Sequence, residues 1–489
     1  MKKTKALILS LLLLTGIGAQ AKDYNASLFG IKSNGTTLNT TAIQKAIDYI
    51  HENGGGRLVF YVGRYLTGSI ELKSNVTIQL NEGAVLLGST NPYDYRKIDG
   101  TWLGLILANG AENIGVVGRG VVDGQGRETA YNYADQIQKG IINDNLNYDR
   151  AANRPTLIYL RECKNVEINN VTWKNSAFWV QIYDQCQNLN IDKITVDSKA
   201  YWNNDGIDIV DCNGVKLTNS FFDATDDAIC LKSHDPKSIC QNVEISNCVA
   251  RSSASGVKFG TASRGGFRNI KLTNIKVYDT YRSALAFEAV DGGVVENVTV
   301  DSLSSYNTGN VIFFRIGERY EGDKGKFNNV TVSNVYAEVP AGKPDAGYEY
   351  EGPVEDLPRN ISPATIVGLP EQYITNVTLR NVTIVYPGGG NPNYAKVGTD
   401  AKSLKAIPEM PKAYPEFSQF KELPAWGFYI RHAKGITFDN VTLTAEKPDY
   451  RPAIVLDDVH GGDFSKVTIN DPSKSKKQII EFQSSDITK

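Results

Sequence analysis

Three aspartates have the type and spacing to do chemistry. Asn203-Asn204-Asp205-Gly206-Ile207-Asp208 is followed by Thr225-Asp226-Asp227-Ala228-Ile229, so Asp205 and Asp226 stand 21 residues apart. Carboxylates brought together repel, so one keeps its proton while a neighbour stays ionised. Hydrolysis of a glycosidic bond needs such a combination: an acid for the leaving oxygen and a base for the attacking water. The same residues would also suit an aspartate-rich turn or a calcium site, and spacing alone does not choose among the three. For Asp205, Asp226 and Asp227 to share one surface, the chain must return to the same place about every 21 residues.

The surrounding sequence predicts that return. An Asn-hydrophobic-x-hydrophobic phrase recurs at Asn75-Val76-Thr77-Ile78, Asn165-Val166-Glu167-Ile168, Asn188-Leu189-Asn190-Ile191 and Asn242-Val243-Glu244-Ile245. It continues at Asn269-Ile270-Lys271-Leu272, Asn297-Val298-Thr299-Val300, Asn329-Val330-Thr331-Val332 and Asn376-Val377-Thr378-Leu379, with Gly435-Ile436-Thr437-Phe438 as a variant. Period-two strands ended by Asn or Gly at this interval are the pattern of a stacked solenoid, whose units are too short to bury a hydrophobic face alone. The reading is all-β: a right-handed parallel β-helix of roughly ten coils, in which equivalent positions lie about 4.8 Å apart. A β-propeller is the structural alternative, but its blades need about 40 residues and four strands.

One segment departs from the strand pattern. Thr40 to Ile50 carries apolar residues at helical spacing behind a threonine N-cap and ends at Gly54-Gly55-Gly56, which predicts a helix capping the open end of the solenoid. Cys163, Cys186, Cys212 and Cys240 occupy matching frames and are expected to stack as small apolar groups, with disulfides as the alternative reading. From about 340 to 424 the periodicity is interrupted by Pro- and Gly-rich stretches, expected as loop insertions that wall a cleft or decorate the surface.

Composition narrows the function classes. Forty-four glycines and 25 tyrosines beside 2 methionines favour strands and turns, and a net charge of −2 without long like-charge blocks disfavours a nucleic-acid binder. Lys2, Lys3 and Lys5 before the apolar run Ala6 to Leu14, with Ala19-Gln20-Ala21 as a small-x-small site, read as a signal peptide over 1–21. Its removal would leave a single domain over 22–489 with net charge −5, exported to the periplasm or the medium, with no membrane span and monomeric.

Several stretches in unbroken order over most of 24–310 resemble glycoside hydrolase family 28, the polygalacturonase and rhamnogalacturonan hydrolase family of β-helical pectin hydrolases. They include Gly118-Arg119-Gly120-Val121-Val122-Asp123-Gly124-Gln125-Gly126, Arg154-Pro155 and Asn175-Ser176-Ala177-Phe178-Trp179. The two aspartate motifs belong to the same likeness, the second extending to Cys230-Leu231-Lys232-Ser233. The resemblance implies hydrolysis with inversion of galacturonate-containing, acidic plant cell-wall polysaccharide or oligosaccharide. It further implies Asp226 as general acid, Asp205 and Asp227 as the pair activating water, and no metal or organic cofactor.

The departures bear on substrate. The family's Gly-His-Gly is replaced around Ala254-Ser255-Gly256-Val257-Lys258, and its Arg-Ile-Lys falls near Leu285-Ala286-Phe287. Losing a charge-assisted grip on a carboxylate makes a rhamnogalacturonan-type or branched pectic substrate the alternative. Lys232, Lys258 and Arg282 are the replacement cations. Asn203, Trp202 and His234 complete the expected substrate-binding set, with Trp179 a further stacking candidate. Glu288 is a nearby carboxylate to which the family gives no role. A β-helical lyase and a carbohydrate-binding solenoid are the other classes, separated from a hydrolase by calcium dependence and by an Asp226 variant.

Overall fold

The computed structural model describes residues 22–98, 100–143, 154–342, 344, 347–349, 360–473 and 476–489. The predicted signal segment, 1–21, lies outside the described residues, as does part of the predicted loop region. The chain winds as a right-handed parallel β-helix. Lys164–Asn169 pairs in parallel with Glu112–Val117 on one side and Gln187–Asp192 on the other, and the next coil adds Asn213–Thr218. In-register stacking puts Val166, Leu189, Val215, Val243, Ile270, Val298, Val330, Val377 and Ile436 in one buried column. Each unit thus buries its apolar face only because its neighbours are present.

The recurring asparagine makes the corner. Asn165, Asn188, Asn242, Asn269 and Asn297 have φ between 54° and 56°, the left-handed region that asparagine tolerates because its short amide bonds locally. Stacking then lines up their amides: Asn188 donates to Asn165 at 3.1 Å, Asn269 to Asn242 at 3.2 Å and Asn297 to Asn269 at 3.3 Å. Where the corner is Gly214 (φ 78°), Asn242 bonds to Asn213 instead.

The six cysteines are unbonded and buried. Cys186 and Cys212 donate weakly to the carbonyls of Leu160 and Tyr183 in the preceding coil, and burial pushes both thiols up.

The predicted cap is helix α1, Thr40–Glu52, which buries Ile43, Ala46, Ile47 and Ile50 over the first coil. Its N-cap is Asn39 rather than a threonine. The Asn39 amide bonds to Lys32 and Leu66, while Thr40 Oγ1 accepts from Gly68 N. A second helix, α2 (Gly126–Gln138), has no apolar stripe and was not expected; it buries only Gly126, Thr129 and Ala130. No helix among the described residues is long and apolar enough to cross a membrane.

Within the loop region, Leu404, Ile407, Phe420 and Leu423 pack on Val367, Tyr429 and Val455 outside the coils. This anchorage brings Tyr414, Glu416 and Phe417 over one face of the solenoid.

Candidate active site

That face is built by register. Asp208 pairs with Cys230, Cys230 with Lys258, Lys258 with Ala286 and Ala286 with Phe313, giving one outward column along successive coils. Three residues before this column, Asp205 is the coil equivalent of Asp227, because Gly206 N donates to Asp227 O and Asp226 N to Asn204 O. Spacing had matched Asp205 to Asp226; the stacked pair is Asp205 and Asp227, with Asp226 beside Asn204. Asp205 and Asp227 nevertheless meet, and Asp226 is near enough for the three carboxyls to repel one another. One oxygen of Asp205, one of Asp227 and Cys230 Sγ lie within 4.8 Å of one another.

Their surroundings push them apart electrostatically. Asp227 is buried, and its Oδ2 lies 3.0 Å from Lys258 Nζ while its Oδ1 accepts from Ser255 N at 3.0 Å. Burial would raise its carboxyl, but Lys258, Lys232 and Arg282 outweigh burial and hold it below the ordinary value. Asp226 is partly open to solvent; its Oδ1 accepts from Asp227 N at 2.9 Å and its Oδ2 from Asn203 Nδ2 at 3.4 Å. Desolvation and the neighbouring Asp227 push its carboxyl up. Asp205 is pushed up further by burial and by repulsion from Asp226 and Asp208. The cluster thus favours the proton on Asp226 and Asp205 and the ionised form on Asp227.

Two ammoniums neutralise the remainder. Lys232 lies 3.5 Å from Asp205, 3.2 Å from Asp208 and 3.1 Å from Cys230 Sγ, with the Trp179 ring 4.6 Å beneath it. Lys258 lies between Asp227, Tyr414 Oη at 3.1 Å and Glu288 at 4.0 Å. Lys232 contacts Asp205 and Cys230 and Lys258 contacts Asp227, so each of these three donors already has an ammonium partner.

The remaining expected residues divide. Arg282 is buried and paired with Glu416 at 3.2 Å, not a solvated charge. Lys232 and Lys258 are likewise buried against carboxylates. Asn203 bridges Asp226 to Arg154, whose guanidinium donates to Asn203 Oδ1 at 2.8 Å and to the carbonyls of Ala177 and Trp202. Trp202 is 48 % exposed at the rim. Trp179 stacks on Phe178 and lies near Trp102, within an aromatic wall. His234 lies beside the site, and burial with Lys232 pushes its imidazole down to about 4, leaving it neutral.

Sequence reasoning gave no part to Asp208, Arg154, Tyr414 or Glu416. Asp208 closes the quoted Asn-Asn-Asp-Gly-Ile-Asp motif, and burial pushes its carboxyl up to about 7. Glu288 reaches about 7 for the same reason. Tyr414 is 156 positions from the lysine it meets, beyond the reach of any local pattern.

The model of glycosyl hydrolases family 28 matches residues 59–344, more than half of the chain. An exo-poly-alpha-D-galacturonosidase of Dickeya chrysanthemi is 30% identical over 254 residues, 43% of this chain and 42% of that protein, so the match spans less than half of that relative. A probable polygalacturonase of Vitis vinifera is 24% identical over 407 residues, 78% of each chain. In fold, a hyperthermoactive exopolygalacturonase from Thermotoga maritima superposes with a TM-score of 0.62 at 20% identity, over 86% of this chain and 91% of that one. The chain belongs to glycosyl hydrolases family 28 and is a glycoside hydrolase.

Proposed function

We propose that the protein hydrolyses a glycosidic bond in galacturonate-containing pectic polysaccharide or oligosaccharide by single displacement with inversion. Asp226 gives its proton to the leaving oxygen. Asp227, paired with Asp205, takes a proton from water, and the oxygen attacks the anomeric carbon from the opposite face. The observation that carries this reading is the split within one cluster: a partly open carboxyl pushed up at Asp226 and a buried one held down at Asp227. The named activities of the Dickeya and Vitis relatives support the pectic substrate.

We also propose attack from a chain end. Along the outward column, Ala286 and Phe313 are sealed beneath Phe417, and Glu416 sits on Arg282. The gap left there, lined by Lys258, Arg282, Glu288 and Glu416 among others, is too tight to admit a water molecule. A polymer cannot run on past Lys258 in that direction, so one end of the cleft is closed. The enzyme is exported and acts as a monomer on this reading, with residues 1–21 as the export signal.

Product analysis tests the proposal on polygalacturonic acid, rhamnogalacturonan backbone and branched pectic oligosaccharides. Monosaccharide released from the ends of polygalacturonic acid is expected. Release only from rhamnose-containing material would transfer the activity to the alternative substrate, and release from none would overturn the pectic reading.

A further inference from the structure

We infer that Tyr414 and Glu288 are positioning residues for the hydrolysis, fixing the Lys258 ammonium against Asp227 Oδ2. This rests on the proposed role of Asp227. Lys258 is a flexible side chain whose buried ammonium has three protons to place. One points to Asp227 Oδ2 at 3.0 Å and another to Tyr414 Oη at 3.1 Å, while Glu288 Oε1 stands at 4.0 Å. The tyrosine arrives from the 411–417 segment and the glutamate from a coil further along, so the ammonium is held from three directions.

The Glu288 pocket leaves room for a carboxyl group. A Cβ at Gly260 would lie 2.9 Å from Glu288 Oε2, so the absence of a side chain there leaves the acid its room. Among the described residues Lys258, 4.0 Å from Oε1, is the cation nearest this carboxyl, with the Thr261 hydroxyl also against it. Tyr414 is 45 % exposed, with its ring also over Arg282 at 5.8 Å. It therefore links the segment that closes the cleft to the ammonium on Asp227.

A double-mutant design tests this with kcat, KM and the pH profile on the pectic oligosaccharide the wild type cleaves best. Tyr414→Phe keeps the ring and removes the acceptor; kcat should fall about tenfold with KM within about twofold, and the acid limb should move to higher pH. Glu288→Gln should lower kcat with the same KM pattern. In a Lys258→Met background neither substitution should lower kcat further, because both act through that ammonium. Unchanged kcat and pH profile in Tyr414→Phe, or an undiminished loss in the Lys258→Met background, would overturn the inference. Tyr414→Phe alters only a partly exposed hydroxyl and keeps the test open if Lys258→Met fails to fold. An active Asp226→Asn variant would instead indict the proposed function itself.

Discussion

Replacing Lys258 by methionine removes the charge nearest Asp227 while keeping a side chain of similar length. At 3.0 Å, and with an effective dielectric of about 20, the attraction between the two is about 5.5 kcal/mol. At about 1.4 kcal/mol per pH unit this bounds the effect at about 4 units. Lys232 and Arg282 also hold Asp227 down and remain in place. Single opposite charges at such distances shift carboxyls by about 1–3 units, so a rise of about 2 units is expected. The base must be ionised to accept a proton, so its raised pKa moves the acid limb of kcat/KM upward by about 2 units. Below that limb activity falls roughly 100-fold, and above it much of the loss is recovered. Reducing-sugar release across the pH range, with circular dichroism confirming the fold, reads this directly. A lowered plateau with an unmoved acid limb would refute the assignment of Lys258 as the group that keeps Asp227 ionised.

Further outcomes follow from the same geometry. Burial pushes Asp208 and Glu288 up to about 7, so the folded state binds these protons more tightly than the unfolded chain. Their stabilisation is complete below the ordinary carboxyl range and lost as pH rises through about 7, so the unfolding temperature should drop across that window. Glu288→Gln should flatten the drop; calorimetry with equal slopes in both proteins would contradict this. At the corner, Asn242→Ala puts a Cβ-bearing residue without an amide at φ 56° and breaks the bonds to Asn213 and from Asn269. It should cost about 2–3 kcal/mol by chemical denaturation, and Asn242→Gly distinctly less. Thiol titration should count six free groups after unfolding and almost none before, since all six are buried and unbonded.

The solenoid was legible in sequence because its corners require a residue tolerant of positive φ, and asparagine recurs at one of them coil after coil. The aspartates were legible as a cluster for the same reason. Their exact partnership was not, since turns of variable length lie between the strands, and a single residue separates matching Asp205 to Asp226 from matching it to Asp227. Helix α2 escaped because it lies on the surface with hardly any apolar side buried. The cations were legible by type but not by state. Lys258 and Arg282 read as cations for an acidic sugar, while nothing local signals that the 411–417 segment seats Tyr414 and Glu416 on them. That contact joins parts of the chain with no shared pattern.

The most direct test of the central claim is the anomeric configuration of the first-formed product, followed by proton NMR during hydrolysis of a galacturonate oligosaccharide, with Asp226→Asn as the parallel control. The account predicts a product of inverted configuration and no turnover in the control. A product of retained configuration, or an active Asp226→Asn, would contradict the assignment of Asp226 and the Asp205–Asp227 pair to a single displacement.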